Sequence, residues 1–149
     1  MKERTIGLTD VVACVIKYAT PTLNAPIQFS EQTDDSPSFL MGCRLPDKNY
    51  GGLWEFPGGQ LQDGESLLTA AVRELKEELG LDLQTAANQS AFEIIIPGFC
   101  VRFLYVSVAG KVGKMTAHSE GKLIQLSKMD RYPLTPASAA FVIHLLQQR

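Results

Sequence analysis

Five acidic side chains (Asp63, Glu65, Glu74, Glu77 and Glu78) stand between Asp63 and Glu78, against only Arg73 and Lys76 as cations in the same stretch. Oxygen donors at this density suit a hard divalent cation, because magnesium takes one or two carboxylates, keeps several waters and binds substrate phosphates at its remaining positions. A cation held in that way can screen an anionic substrate, orient a water and stabilise charge on a leaving oxygen. Glu74, Glu77 and Glu78 are spaced i, i+3 and i+4, so a helix would put them on one face. Like charges at that spacing weaken an isolated helix by about 0.2–0.5 kcal/mol per pair. A compensating cation is therefore expected. Arg73 can pair with Glu77 but cannot neutralise three carboxylates. A plain solvated face is the competing reading.

These residues need a helix and an entry loop to position them. Leu68, Val72, Leu75 and Leu79 recur at i, i+4, i+7 and i+11 and predict an amphipathic helix, its apolar stripe well over a right angle from the carboxylates. Gly80 stands where a C-terminal cap belongs. Upstream, in Trp54-Glu55-Phe56-Pro57-Gly58-Gly59, Pro57 stiffens the chain before two glycines that allow close backbone approach, as a phosphate-side loop requires. Val11–Ile16 reads as a strand covered on both faces. Phe39–Arg44 reads as the next strand, and Asp47–Gly52 as a turn-rich connection. Phe92–Ile96 and Cys100–Val108 are β-rich and separated by Pro97-Gly98; Lys122–Leu126 is a shorter candidate. Thr135 as N-cap and Pro136 at the first helical position open a last helix through Phe141, Val142, Leu145 and Leu146. The proline-punctuated stretch Thr20–Ser38 is predicted as a long loop with a short strand at Ile27–Phe29, serving as a substrate lid or a dimer contact. Strands, helix, strands, helix is an α/β order, a sheet with at least one helix packed on it.

Composition bounds the rest. With 149 residues, 45% hydrophobic and 20% charged, the chain is expected to form one globular domain. The longest apolar run, Val11–Ile16, is far short of a membrane span, so a soluble cytoplasmic protein is expected. A net charge of -2 with no basic run argues against a nucleic-acid polymer as partner. Cys14, Cys43 and Cys100 form no CxxC pair and read as buried free thiols of a reducing compartment. His118, among polar neighbours, reads as a surface residue.

From Gly59 to Leu81 the chain matches, at each of nine fixed or class-restricted positions, the Nudix signature G-x5-E-x7-R-E-U-x-E-E-x-G-U, where U is a large aliphatic residue. The chain thus resembles a Nudix hydrolase. The resemblance implies one Nudix domain over residues 1–149, an α/β/α sandwich around a mixed β-sheet. It also implies metal ligation by Glu74, Glu77 and Glu78 with the backbone carbonyl of Gly58. The expected ion is Mg2+, with Mn2+ as the alternative. Glu65 would support the metal site and loop geometry, although a simple helix N-terminal charge explains it equally well on local grounds. Arg73 completes the signature and is carried over with Glu74 and Glu65 as catalytic. For the general base Glu74 is the first choice. A carboxylate outside the helix is the alternative, and Glu120 lies where similar proteins bring a further glutamate to the metals.

Glu-Phe-Pro-Gly-Gly, at Glu55 to Gly59, resembles the MutT-like branch, which often has Lys where this chain has Gln60. In that branch an arginine matching Arg44 contacts the sugar-phosphate side of the substrate. The segment matching Pro136-Ala137-Ser138 there reads the base edge through Asn or Asp. Arg44, Phe56, Gly59 and Ser138 are therefore the expected substrate-binding residues, with strand end, core and helix first turn as the bland alternatives. Serine lacks the fixed donor–acceptor pair of an amide, so oxidised-guanine selectivity does not transfer. The expected activity is cleavage of a nucleoside triphosphate, ordinary or oxidised such as 8-oxo-dGTP, to monophosphate and pyrophosphate. Hydrolysis of ADP-ribose or another nucleotide conjugate is the alternative, and a non-catalytic nucleotide sensor is a third reading. A small-molecule nucleotide is the expected partner, with the chain acting as a monomer or homodimer.

Overall fold

Strand β1, Thr9–Tyr18, is the axis of the sheet in this computed structural model, which describes residues 7–18, 34–113 and 115–148. It runs parallel to β7 (Phe99–Ala109) from Thr9 to Ile16. Its other edge is shared. Val11–Ala13 pair antiparallel with β4 (Gly58–Gln60), and Lys17 and Tyr18 pair antiparallel with β2 (Ser38–Arg44). β3 (Trp54–Glu55) and β8 (His118–Gln125) flank β2, while β5 (Asp82–Ala86) and β6 (Phe92–Ile96) pair with β7. The described residues thus form one mixed sheet of eight strands.

The β-branched run in β1 follows from its position. Val12, Cys14 and Ile16 enter one core and Ala13 and Val15 the other, and all five are buried. A strand covered on both faces cannot alternate apolar with polar. Helix α1, Leu67–Leu79, covers the first face, and α2, Pro136–Gln147, covers the second. This is the expected α/β/α sandwich. The α2 core centres on Phe103 and Phe141, stacked at 4.4 Å between centroids, with Phe56 edge-on to both. Each such side chain contributes about 1.5–3 kcal/mol by leaving water.

Both ends of α1 follow from local chemistry. Ser66 caps the N-terminus, its Oγ accepting the Thr69 N–H at 3.0 Å, and Gly80 closes the C-terminus at φ 69° with its N–H on the Leu75 and Lys76 carbonyls. The predicted apolar stripe needs correction. Leu68 and Val72 are about half exposed, and the buried face is Leu67, Ala70, Ala71, Glu74, Leu75 and Leu79. Two alanines let the helix lie close to the sheet, which turns Glu74 inward instead of away from the packing.

Other expectations are revised by pairing. Gly58–Gln60 is a strand rather than a free loop, because it borrows the edge of β1. β8 begins at His118, four residues before the predicted Lys122, and a 3₁₀ segment, Leu126–Arg131, follows it. β5, unpredicted, pairs with β7 around a register shift between Leu83 and Thr85. Thr135 is the N-cap of α2 but makes no side-chain capping bond; its N–H goes to the Trp54 carbonyl at 2.9 Å. The predicted strand Ile27–Phe29 and most of the Thr20–Ser38 loop lie outside the described residues. No helix among the described residues is long and apolar enough to cross a membrane.

Candidate active site

The entry to α1 is a turn closed by its own carboxylate. Gly64, at φ 79°, reverses the chain, and Glu65 Oε1 accepts the Gln62 N–H at 2.7 Å. The same carboxylate receives a two-pronged contact from Arg73, Nε to Oε2 at 2.7 Å and Nη2 to Oε1 at 2.8 Å. Arg73 also donates to the Gln60 carbonyl at 3.0 Å, to Glu74 Oε1 at 2.8 Å and to Glu77 Oε2 at 3.2 Å. A guanidinium has five N–H donors, and every one is spent. The hydrogen bond to Glu65 leads the effects that hold the Arg73 guanidinium protonated. In this arrangement no Arg73 donor is left over, and its contacts tie the entry loop to Glu65, Glu74 and Glu77.

Gly59 is where loop and helix touch. A Cβ at this position would run into the Glu74 carboxylate, and one at Gly58 would overlap the Val12 carbonyl. These glycines are required by close approach, since neither has a positive φ.

Glu78 receives nothing from Arg73. Burial, followed by the charge of Glu74, a proton shared with Glu74 and the charges of Glu55 and Glu77, pushes its carboxyl up to about 9. Its Oε2 is buried with no hydrogen-bond partner among the described residues. Beneath the helix Cys14 is fully buried, and burial followed by Glu78 and Glu74 pushes its thiol up, so it stays protonated and unreactive.

Two residues absent from the expected set join the cluster. Glu55 accepts Arg44 Nη1 at 3.3 Å and 3.2 Å, and it lies 3.0 Å from His118 Nε2. His118 is not a surface residue: its side chain is 1% exposed and its ring lies against Gly42, where a Cβ would be 2.5–2.8 Å from ring atoms. Gly42 leaves the space that the imidazole fills. Alternation carried a readable signal for Glu55, because Trp54 and Phe56 point into the α2 core and the residue between them must face α1. His118 had no such signal while β8 was thought to start later.

The remaining expected residues divide. Arg44 sits at the end of β2, Nε on the Asn49 carbonyl at 2.7 Å, and Nη2 makes no hydrogen bond among the described residues. Glu77 and Glu120 are exposed. Glu120 lies on the rim of an open groove of about 620 Å³ between Leu45, Met115-Thr116 and the start of β8. Phe56 and Ser138, expected to meet substrate, are instead buried, both at 3% exposure. The Phe56 N–H donates to Ser138 Oγ at 3.3 Å. The hydroxyl is occupied by backbone, and the Phe56 ring packs on Phe39, Phe103 and Phe141.

The donor set fits a hard divalent cation in kind. Glu74, Glu77 and Glu78 offer carboxylate oxygens, the buried Glu78 Oε2 has no hydrogen-bond partner among the described residues, and Gly59 leaves room beside Glu74. Among the described residues no three such side chains already converge on one point, so a bound ion would draw them together.

The NUDIX domain family matches residues 27–139. The chain is 32% identical to the CTP pyrophosphohydrolase of Escherichia coli over 100 residues, 66% of this chain and 74% of that protein. It is 28% identical to the 8-oxo-dGTP diphosphatase of Haemophilus influenzae over 107 residues, 70% and 79% of the two chains. A solved MutT structure, from work on the Aliivibrio salmonicida and Vibrio cholerae proteins, superposes with a TM-score of 0.69 at 25% identity over 95% of this chain and 98% of that one. The Nudix domain of Shewanella oneidensis NrtR, solved with ADP ribose, covers 95% of this chain and 88% of its own at a TM-score of 0.61, and at 15% identity shares the fold alone.

Proposed function

Since the chain belongs to the Nudix family and is a hydrolase of phosphoric anhydride bonds, we propose that it is a magnesium-dependent pyrophosphohydrolase converting a nucleoside triphosphate to the monophosphate and pyrophosphate. One observation carries the reading: a buried, unpartnered carboxylate oxygen on Glu78 stands beside Glu74 within an otherwise saturated ion-pair network. Such an atom is costly unless a ligand completes it.

Glu74, Glu77 and Glu78 hold the ion with the Gly58 carbonyl, and Glu120 joins from the groove rim. When bound, magnesium screens the phosphate charge and acidifies a water. Arg73 keeps Glu65, Glu74 and Glu77 in register with the loop. Glu74 takes the proton from the attacking water, with Glu120 as the alternative base. Arg44, with its outer nitrogen uncommitted, binds the sugar-phosphate side of the nucleotide. Ser138 and Phe56 act from behind, as packing under the base site. With no amide at position 138, selectivity among bases is modest.

The test is a panel of dGTP, 8-oxo-dGTP, CTP and ADP-ribose assayed with magnesium. Pyrophosphate should appear from at least one triphosphate, together with its monophosphate. Release of AMP from ADP-ribose with all triphosphates intact would replace this reading by conjugate hydrolysis, and no turnover of any compound would remove the catalytic assignment.

A further inference from the structure

His118 does not belong to the helix motif, yet it occupies a well-built position. Its side chain is 1% exposed, its ring rests on Gly42, which has no Cβ to displace it, and Nε2 meets Glu55 at 3.0 Å. Nδ1 is buried without a hydrogen-bond partner among the described residues. An apolar side chain would fill this space without leaving a polar atom unpaired. The hydrogen bond to Glu55 is what an imidazole adds.

Glu55 joins two sides of the site. Its carboxylate holds Arg44 Nη1 at 3.2–3.3 Å, and its charge is felt by Glu78. Arg44 has one further anchor, the Asn49 carbonyl in the exposed turn that follows β2. A carboxylate accepts and does not donate, so the Nε2–H of His118 fixes one Glu55 oxygen and with it the direction of the fork offered to Arg44.

We propose that His118 is a positioning residue for the hydrolytic reaction, holding Glu55 so that Glu55 aims the Arg44 guanidinium at the sugar-phosphate side of the nucleotide. The inference rests on the substrate role given to Arg44 above. Its signature is a loss of nucleotide affinity rather than of the chemical step, because a misdirected arginine weakens binding of substrate and transition state alike.

The experiment compares His118→Leu, His118→Gln, Gly42→Ala, Arg44→Ala and the His118→Leu/Arg44→Ala double variant. KM and kcat are measured for dGTP with magnesium, Kd for dGMP by calorimetry without metal, and Tm for folding. His118→Leu should raise KM and Kd by about tenfold while kcat moves less than about twofold. Glutamine keeps an amide N–H at similar reach and should recover most of the affinity. Gly42→Ala keeps the imidazole but displaces it, and should raise KM and Kd in the same direction. On the Arg44→Ala background, His118→Leu should add nothing further, since both remove one interaction. A full additional loss there, or an unchanged dGMP Kd in both His118→Leu and Gly42→Ala, would overturn the proposal. Should the leucine variant fail to fold, Gly42→Ala decides alone. If Arg44→Ala by itself leaves KM and Kd unchanged, the substrate role of Arg44 fails first, and that single-variant result separates the two failures.

Discussion

The two faces of the sheet are built from the same strands and reach opposite solutions. On the α2 face, Phe39, Phe56, Phe92, Phe103 and Phe141 pack ring to ring, and the buried Ser138 hydroxyl is committed to backbone. On the α1 face, apolar packing by Leu67, Ala70, Ala71 and Leu75 gives way at one end to Glu74, Glu78, Glu55 and His118. Both buried side-chain atoms without partners among the described residues, Glu78 Oε2 and His118 Nδ1, belong to that end. One face minimises its own free energy, while the other leaves like charges close together. On the proposed reading, a bound cation relieves it.

The contrast breaks most readily on the aromatic side. Phe141→Ala removes a fully buried ring that stacks on Phe103, and should destabilise the protein by about 3–5 kcal/mol in denaturant titrations with or without magnesium. A loss under about 1 kcal/mol would mean that this face is not the stabilising layer.

Glu78→Gln tests the other face and should separate stability from activity. Magnesium-dependent kcat should fall by about 100-fold or more, while the apo protein should melt no lower than wild type, because the amide, like the protonated carboxyl that it replaces, is neutral and can donate to Glu74. Near-wild-type turnover at limiting magnesium would refute the ligand assignment.

A pH series sharpens the same point. Folding raises the Glu78 carboxyl from its ordinary 4.5 to about 9, so between those values the folded chain holds a proton that the unfolded chain has released. Apo stability should therefore fall as pH rises through that window. Saturating magnesium should flatten the decline, since the cation takes the place of the proton, and Glu78→Gln should flatten it in the apo protein. An apo stability that rises steadily from pH 5 to 9 would contradict the raised Glu78 carboxyl.

The smallest effect belongs to Ser138→Ala, which leaves the buried Phe56 N–H unpaired and should cost about 1 kcal/mol of stability. It should change the ratio of kcat/KM for 8-oxo-dGTP over dGTP by less than about threefold. A change of tenfold or more would show the hydroxyl reading the base directly.

What could be read in the sequence was whatever depends on residues close along the chain. The α1 cap at Gly80, the doubly buried β1 and the carboxylate spacing are all local. What escaped depends on a partner far away in sequence. Gly58–Gln60 became a strand because β1 offered an edge, and His118 was buried because Gly42, on the neighbouring strand, left a hole. Choosing Leu68 and Val72 for the apolar stripe failed because periodicity weighs leucine above alanine, whereas the approach of helix to sheet favours the smaller side chain. Arg73 is legible as a motif position, whereas its five contacts are visible only in the structure.

The five-bond arginine also bears on how this region opens. Arg73 links the carbonyl of Gln60, thirteen residues earlier, to Glu65 at the turn and to Glu77 one helical turn ahead. Residue-by-residue fraying from the start of α1 would have to abandon several charge-assisted bonds at once. Amide hydrogens from Leu61 through the first turns of α1 should then exchange as one cooperative unit with a common opening free energy, where a helix end secured by Ser66 alone would show a gradient of protection.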